Sequence, residues 1–322
     1  MRFLGKNFKN VKFFYYLKNY LLLIIPNFFF RKTLEKRLSN FTKNEIDKLI
    51  DRVNYYNKID SEVNVDTTWS KLSDLKIEKK GKTYFFDAYS ISRNFSPKFK
   101  CNFLFGDIDY VPNKPSFVKS RPINNSQNSI LLKLNKVRHF QYVIDNIKLE
   151  NKADILFGRA AVFQKQRIDF YKKYFNHPIC DLGQINSGTN HDQWVKKKVS
   201  LDTHLKHKFI LCIEGNDVAS NLKWVMSSNS VAVMPKPKFE SWFMENMLIP
   251  DYHYIHIKDD YSDLEEKLKF YIKNTEKLQQ ISINANNYVD QFRDYNDEKL
   301  ISLLVMEKFF CLTNQKKSLI DF

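Results

Sequence analysis

Between about residues 150 and 275 the chain alternates short apolar runs with stretches of helical spacing, and this limits the folds open to it. Ile155-Leu156-Phe157 reads as a strand ending at Gly158-Arg159, with helical material following to about Phe175. Phe209 to Ile213 is a second apolar run, closed by Glu214-Gly215, and another helical stretch starts near Ser220. Ser230 to Pro235 and Tyr252 to Ile257 are further strand candidates. Ser262 and Glu265 offer a cap for a helix carrying Leu264, Leu268 and Tyr271. Such alternation predicts a mostly parallel sheet with helices on both faces. Ligands of these sheets sit beyond the carboxyl ends of the strands. Gly106, Gly158 and Gly215 each lie just past an apolar run. They read either as ordinary turn glycines or as points of close approach to a ligand.

Upstream, residues 42 to 57 predict a helix, with Thr42 and Glu45 as a capping box and Ile46, Leu49, Ile50 and Val53 on one face. Tyr84-Phe85-Phe86 and Phe103-Leu104-Phe105 are short strand candidates, the second running into Gly106-Asp107-Ile108-Asp109. Residues 275 to 320 are mostly helical. Phe13 to Phe30 is strongly apolar and aromatic, but Lys18 interrupts it and Pro26 breaks it. Lys6, Lys9 and Lys12 precede it, and Arg31 and Lys32 follow. A spanning helix wants about 20 mainly apolar residues, and a secretory signal wants a small-residue cleavage site. The segment therefore reads first as an interfacial or packed helix, with a membrane anchor and a signal as alternatives. In the interfacial form, aromatic rings enter the headgroup boundary and cations meet anionic lipid.

The 52 Lys and Arg outnumber 36 Asp and Glu, for a net charge of +16. That field attracts sugar nucleotides, phosphorylated glycolipids, an acidic membrane face or nucleic acid. The lysine runs are dispersed and no zinc-finger, KH or RNP-like pattern occurs, which argues against nucleic acid. Cys101, Cys180, Cys212 and Cys311 form no CxxC pair and fit a reducing cytoplasm. GxGxxG, Walker A, HExxH and GxSxG motifs are absent.

Several segments occur together and in order. They are Gly106-Asp107-Ile108-Asp109, Lys119-Ser120-Arg121-Pro122, the stretch from Asn128 to Phe140, Gly158-Arg159, the stretch from Glu214 to Trp224, and Phe239-Glu240-Ser241-Trp242-Phe243. Over residues 80 to 295 the chain thereby resembles the bacterial lipopolysaccharide-modifying branch of the CAP10-like glycosyltransferases. This is glycosyltransferase family 90, related to the protein O-glucosyl and O-xylosyl transferases. The resemblance implies an α/β, GT-B-like fold of two Rossmann-like lobes with a cleft between them. Residues 1–75 form an N-terminal aromatic and basic helical region, part of it joined to an acceptor lobe at 76–150. Residues 151–275 form the nucleotide-sugar lobe, and the helices of 276–322 are placed to cross back to the acceptor lobe. The implied reaction moves a hexose or pentose, with inversion, from a nucleotide-diphosphate sugar of the UDP type. The acceptor is a lipid-linked or lipopolysaccharide oligosaccharide, or another cell-surface glycan. No cofactor or metal is expected, and the expected location is cytoplasmic, peripheral on an anionic inner membrane.

Inverting transfer needs a base for the acceptor hydroxyl. The family pattern places it on Asp107, with Asp109 the rival. Both acids also suit a turn-capping role, and Asp107-Ile108-Asp109 is formally a metal-type DxD. Cations stabilise a departing diphosphate. Arg159 is the first candidate and Arg167, two helical turns on, the second; relatives carry Arg before Gly where this chain has Gly158-Arg159. Ser220 and Asn221 are expected at the phosphates or sugar, with Lys223 adding charge where eukaryotic relatives have Arg. Glu240 is expected near the ribose, or else as a helix N-terminal acid. Lys119, Arg121 and Arg138 would hold an anionic acceptor or else form a solvated basic face. His139, His253 and His256 read as core histidines. Two other functions stay open: a non-enzymatic basic module on an anionic membrane or polysaccharide, and a polysaccharide phosphotransferase with a metal site. The acids at 107, 109 and 240 favour the transferase, because a polyanion-binding surface has no use for them.

Overall fold

The apolar runs between 150 and 257 pair as one parallel sheet of five strands. Its spatial order is Ile255–His256, Val231–Met234, His207–Leu211, Ala153–Ala160, Cys180–Gln184. The computed structural model in which this is seen describes residues 8–79, 81–124 and 126–322, so Lys6 lies outside the described residues, as does the side chain of Lys9. The described chain divides into two units. The sheet belongs to the unit built from His139–Lys238 and Met244–Gln291.

Helices Lys165–Tyr174, Leu264–Lys273 and Thr275–Asp290 belong to that unit. Leu156, Leu182, Phe209 and Val233 of the strands share one core with Phe170, Leu268 and Leu278 of the helices. Burial of that apolar area is the main favourable term holding the unit. The strand order also reverses. The chain passes from Ala153–Ala160 outward to Cys180–Gln184, then returns to place His207–Leu211 on the other side of Ala153–Ala160.

Three expectations for this unit need correction. The first strand does not stop at Gly158 but continues through Arg159 to Ala160. Gly158 packs between both neighbours, since a Cβ there would lie 3.1 Å from Leu182 and 3.3 Å from Leu211. Of Tyr252 to Ile257 only Ile255–His256 pairs as strand, because Asp251 takes a left-handed turn (φ 56°) just before it. The helix cap is Asp263 rather than Ser262, whose hydroxyl donates instead to Asp260 at 2.8 Å.

The second unit joins the described residues up to Arg138 to Phe239–Phe243 and Phe292–Phe322. The capping box is present on helix Lys43–Tyr56, with Thr42 N donating to Glu45 Oε2 at 2.7 Å and Glu45 N donating to Thr42 Oγ1 at 3.3 Å. Tyr84-Phe85-Phe86 is not a strand but lies in helix Lys82–Ser92, with all three rings buried. Tertiary packing on several sides overrides their strand propensity. Phe103 makes a single bridge to Phe117, not a strand. Among the described residues the sheets here have two strands each. Ser116–Val118 runs parallel to Ser129–Leu131, and Ser120–Pro122 antiparallel to Phe239–Ser241. A Rossmann-like lobe is therefore not what this unit forms. Its centre is helix Tyr295–Leu312, whose Leu300 to Phe310 are all buried, as suits a helix surrounded by protein.

Candidate functional site

All five strands of the first unit are parallel, so the loops that follow them share one edge. The order reverses between Ala153–Ala160 and His207–Leu211, the place where doubly wound sheets bind ligands. Arg167, in the first turn of its helix, spans it. Its Nη1 donates to Ala161 O at 2.9 Å, its Nη2 to Ile213 O at 3.0 Å, and its Nε to Glu214 O at 3.1 Å. A Cβ at Gly215 would sit 3.2 Å from Nη2, so glycine is what lets the guanidinium lie so close. Gln166 donates to Gly215 O at 2.6 Å and Gln164 to Asn216 Oδ1 at 2.9 Å. The Glu214 carboxylate accepts from Lys238 N at 3.1 Å, which ties in the loop after Val231–Met234. Asn221 Nδ2 donates to Leu211 O at 2.9 Å, and Ser220 beside it is half-buried.

Polar atoms at this edge with no hydrogen-bond partner among the described residues include Gln164 Oε1, Gln184 Oε1 and Asn186 Nδ2. Unpaired buried polar atoms are costly, and a ligand with donors and acceptors would satisfy them. The edge thus offers a cation, carbonyl-tethered loops and unspent amides. That suits an anion carrying hydroxyls.

Arg159, the first candidate for the phosphates, is committed elsewhere. Its Nη2 lies 2.9 and 3.1 Å from the two Asp181 oxygens, and its Nη1 donates to Gly158 O and Asp181 O, each at 2.9 Å. Burial pushes the Asp181 carboxyl up, but the Lys196 hydrogen bond and the Arg159 charge outweigh it and hold the group below its ordinary value. The partner residue lies two positions before Gly183, which faces Arg159 across the strands, so the guanidinium reaches back from the edge. Lys223 is likewise spent: it and Glu245 pair in the interior, with side chains 0% and 1% exposed. It adds no charge to the edge.

Glu240 belongs to the second unit. Strand pairing sets it opposite Arg121, whose Nε donates to Glu240 Oε1 at 2.8 Å; both side chains are 0% exposed. Tyr55 OH donates to the other Glu240 oxygen. The remaining Arg121 nitrogens donate to Tyr56 O, Ser129 O and Tyr55 O. Glu240 and Arg121, expected at a ribose and at an acceptor, are found paired with each other in the interior.

Lys119 is also interior, with a side chain 2% exposed and its ammonium 2.5 Å from Asp107 Oδ1. It is not a surface cation for an acceptor. Phe103 and Phe117 bridge side by side, which brings the residues just beyond them, Asp107 and Lys119, together. Gly106 supplies the turn with φ 115°, a conformation other residues rarely adopt. Asp107, Asp109 and Arg138 are exposed. His139 and His253 are buried, and His256 is half-buried. Among the described residues no three His, Cys, Asp or Glu side chains gather as a metal site. Sequence reasoning missed Gln164, Gln166 and Asn186 and gave Glu214 no role. The available signal was Glu214-Gly215 closing an apolar run.

The profile of glycosyl transferase family 90 matches residues 161–298, which takes in the loops of this edge. The O-glucosyltransferase LpsA of Dichelobacter nodosus is 34% identical over 302 residues, 92% of this chain and 95% of the relative. An uncharacterized protein, 179R, of Invertebrate iridescent virus 6 is 30% identical over 119 residues, 34% of this chain and 10% of that protein. The chain belongs to glycosyl transferase family 90 and is a glycosyltransferase.

Proposed function

We propose that this enzyme moves glucose, with inversion, from a UDP-type sugar nucleotide to a hydroxyl of a lipopolysaccharide or other cell-surface glycan. The Dichelobacter nodosus relative, an O-glucosyltransferase by name, supports a hexose of this kind. The observation that carries the donor assignment is Arg167 spanning the two loops at the reversal of strand order. In this reading the diphosphate lies at that edge, with Arg167 as its cation and Ser220 and Asn221 at the phosphates or sugar. Glu214 takes over the ribose-hydroxyl role from Glu240. In the same reading Asp107 is the base and Arg138 meets an anionic acceptor. Asp107 takes the acceptor proton, the acceptor oxygen bonds to the anomeric carbon, and the bond to the diphosphate breaks, its electron pair leaving with the diphosphate. No cofactor enters the scheme. Asp107-Ile108-Asp109 is assigned to proton transfer and the turn, not to a metal. A lipid-borne acceptor fits peripheral attachment at the cytoplasmic face of the inner membrane.

Titration with uridine diphosphate tests the donor assignment. Arg167→Ala should weaken binding by about 1.5–3 kcal/mol, or one to two decades. Arg159→Ala should leave affinity near wild type. The reverse pattern would move the diphosphate away from the reversal point. A panel of sugar nucleotides read by thermal stabilisation then ranks the donors, with UDP-glucose expected first.

A further inference from the structure

Helix Phe8–Ile24 and the turn Asn27–Phe30 leave most of one face uncovered. Phe13 is 62% exposed, Leu21 56%, Ile24 78%, Phe28 59% and Phe29 66%. No single helix among the described residues is long and apolar enough to cross a membrane. The segments Lys12–Ile24 and Asn27–Leu38 bend by 107° at the break between them. The opposite side of the helix is firmly seated. Tyr15 OH donates to Asp87 Oδ1 at 2.9 Å and to Thr83 O at 3.2 Å, and Tyr20 packs edge-on against Phe86 at 5.0 Å.

The bend itself is held by one side chain. Arg93 Nη1 donates to Leu22 O at 2.8 Å, a carbonyl that also accepts from Ile25 N at 3.3 Å and to which Pro26 has no N–H to offer, and Arg93 Nη2 donates to Ile25 O at the helix end. Arg93 Nε donates to Asn27 Oδ1 at 3.1 Å, and the guanidinium lies 3.8 Å from the Phe30 ring centroid. Ile24, Phe28 and Phe29 are therefore presented outward by a built turn.

We propose that this turn is a preformed wedge that inserts its apolar tip into the surface of an anionic bilayer. The inference rests on the proposed function, in which the acceptor is lipid-borne, and names the surface that meets it. Charge selects the occupant. The sequence has no Asp or Glu before Glu35, and Lys12, Lys18, Arg31 and Lys32 are all exposed around the apolar face. Anionic lipid attracts such a rim. A second copy of the chain, docked face to face by a two-fold axis, would set these cations against themselves. Behind the wedge the field has the same sign. Burial, with the charges of Lys136, Arg37, Arg93 and Lys18, pushes Lys299 well below its usual value.

Co-sedimentation of the full chain with vesicles tests this. Wild type should bind vesicles of phosphatidylglycerol and phosphatidylcholine, and phosphatidylcholine alone at least about tenfold less. Ile24→Ser, Phe28→Ser and Phe29→Ser together should lower partition by about 100-fold or more, with unchanged thermal unfolding because all three are exposed. Arg31→Gln with Lys32→Gln should cost about tenfold on the anionic vesicles only. Equal partition of the triple variant, or indifference to lipid charge, would overturn the wedge. So would a solution dimer that the triple variant abolishes. Donor hydrolysis by wild type without vesicles reads the transferase proposal separately, so the two fail independently.

Discussion

Asp107→Asn is expected to lower the initial transfer rate about 10²–10⁴-fold, the usual cost of removing a general base. Affinity for uridine diphosphate should stay near wild type, because the proposed donor residues belong to the other unit. Three features single out Asp107. It follows the turn that Gly106 makes at φ 115°, its side chain is 32% exposed, and the Lys119 ammonium holds it at 2.5 Å. That ammonium fixes the carboxylate's direction while the lysine itself stays buried. Asp109, exposed two residues on, has no such ion pair among the described residues, so Asp109→Asn should be much milder. Near-wild-type transfer by Asp107→Asn, with loss in Asp109→Asn, would shift the base by two residues. Activity in both variants would make the segment structural.

Glu240→Ala should instead act on folding, lowering unfolding stability by about 3–5 kcal/mol, because it leaves Arg121 buried without its counter-charge. Arg121 keeps three backbone carbonyl partners, which orient the guanidinium but do not neutralise it. A ribose-binding role would give the opposite signature: ordinary stability with weakened nucleotide affinity. Denaturant unfolding and uridine diphosphate titration of the same variant separate these. The pair of Glu240 and Arg121 joins two of the motif segments. Both residues sit in segments that carry the family resemblance, yet they face each other across Ser120–Pro122 and Phe239–Ser241.

The unit that carries the five-stranded sheet was largely legible in the residues. Phe209 to Ile213 and Ser230 to Pro235 are too apolar to lie anywhere but inside a covered sheet, and the helical stretches between them leave parallel strands as the natural solution. The capping box at Thr42 and Glu45 was legible for the same reason: it is local, and its bonds span three residues. Tyr84-Phe85-Phe86 was not. Burial on several sides of a helix leaves no periodicity to read, so a helical run of aromatics looks like a strand.

Sequence by itself determined that a parallel sheet forms and that Gly215 follows one of its strands. Tertiary structure alone decided which charges are available. Arg159 and Arg167 lie eight positions apart, and the residues alone put Arg159 first for a phosphate. The sheet register gives Arg159 a carboxylate at 2.9 Å, while the reversal of strand order sets Arg167 against the carbonyls of Ala161 and Ile213. A cation that meets a carboxylate is largely neutralised, whereas a backbone carbonyl orients a guanidinium without cancelling its charge. Which of the two a side chain finds depends on strands distant in sequence, and no local pattern records it.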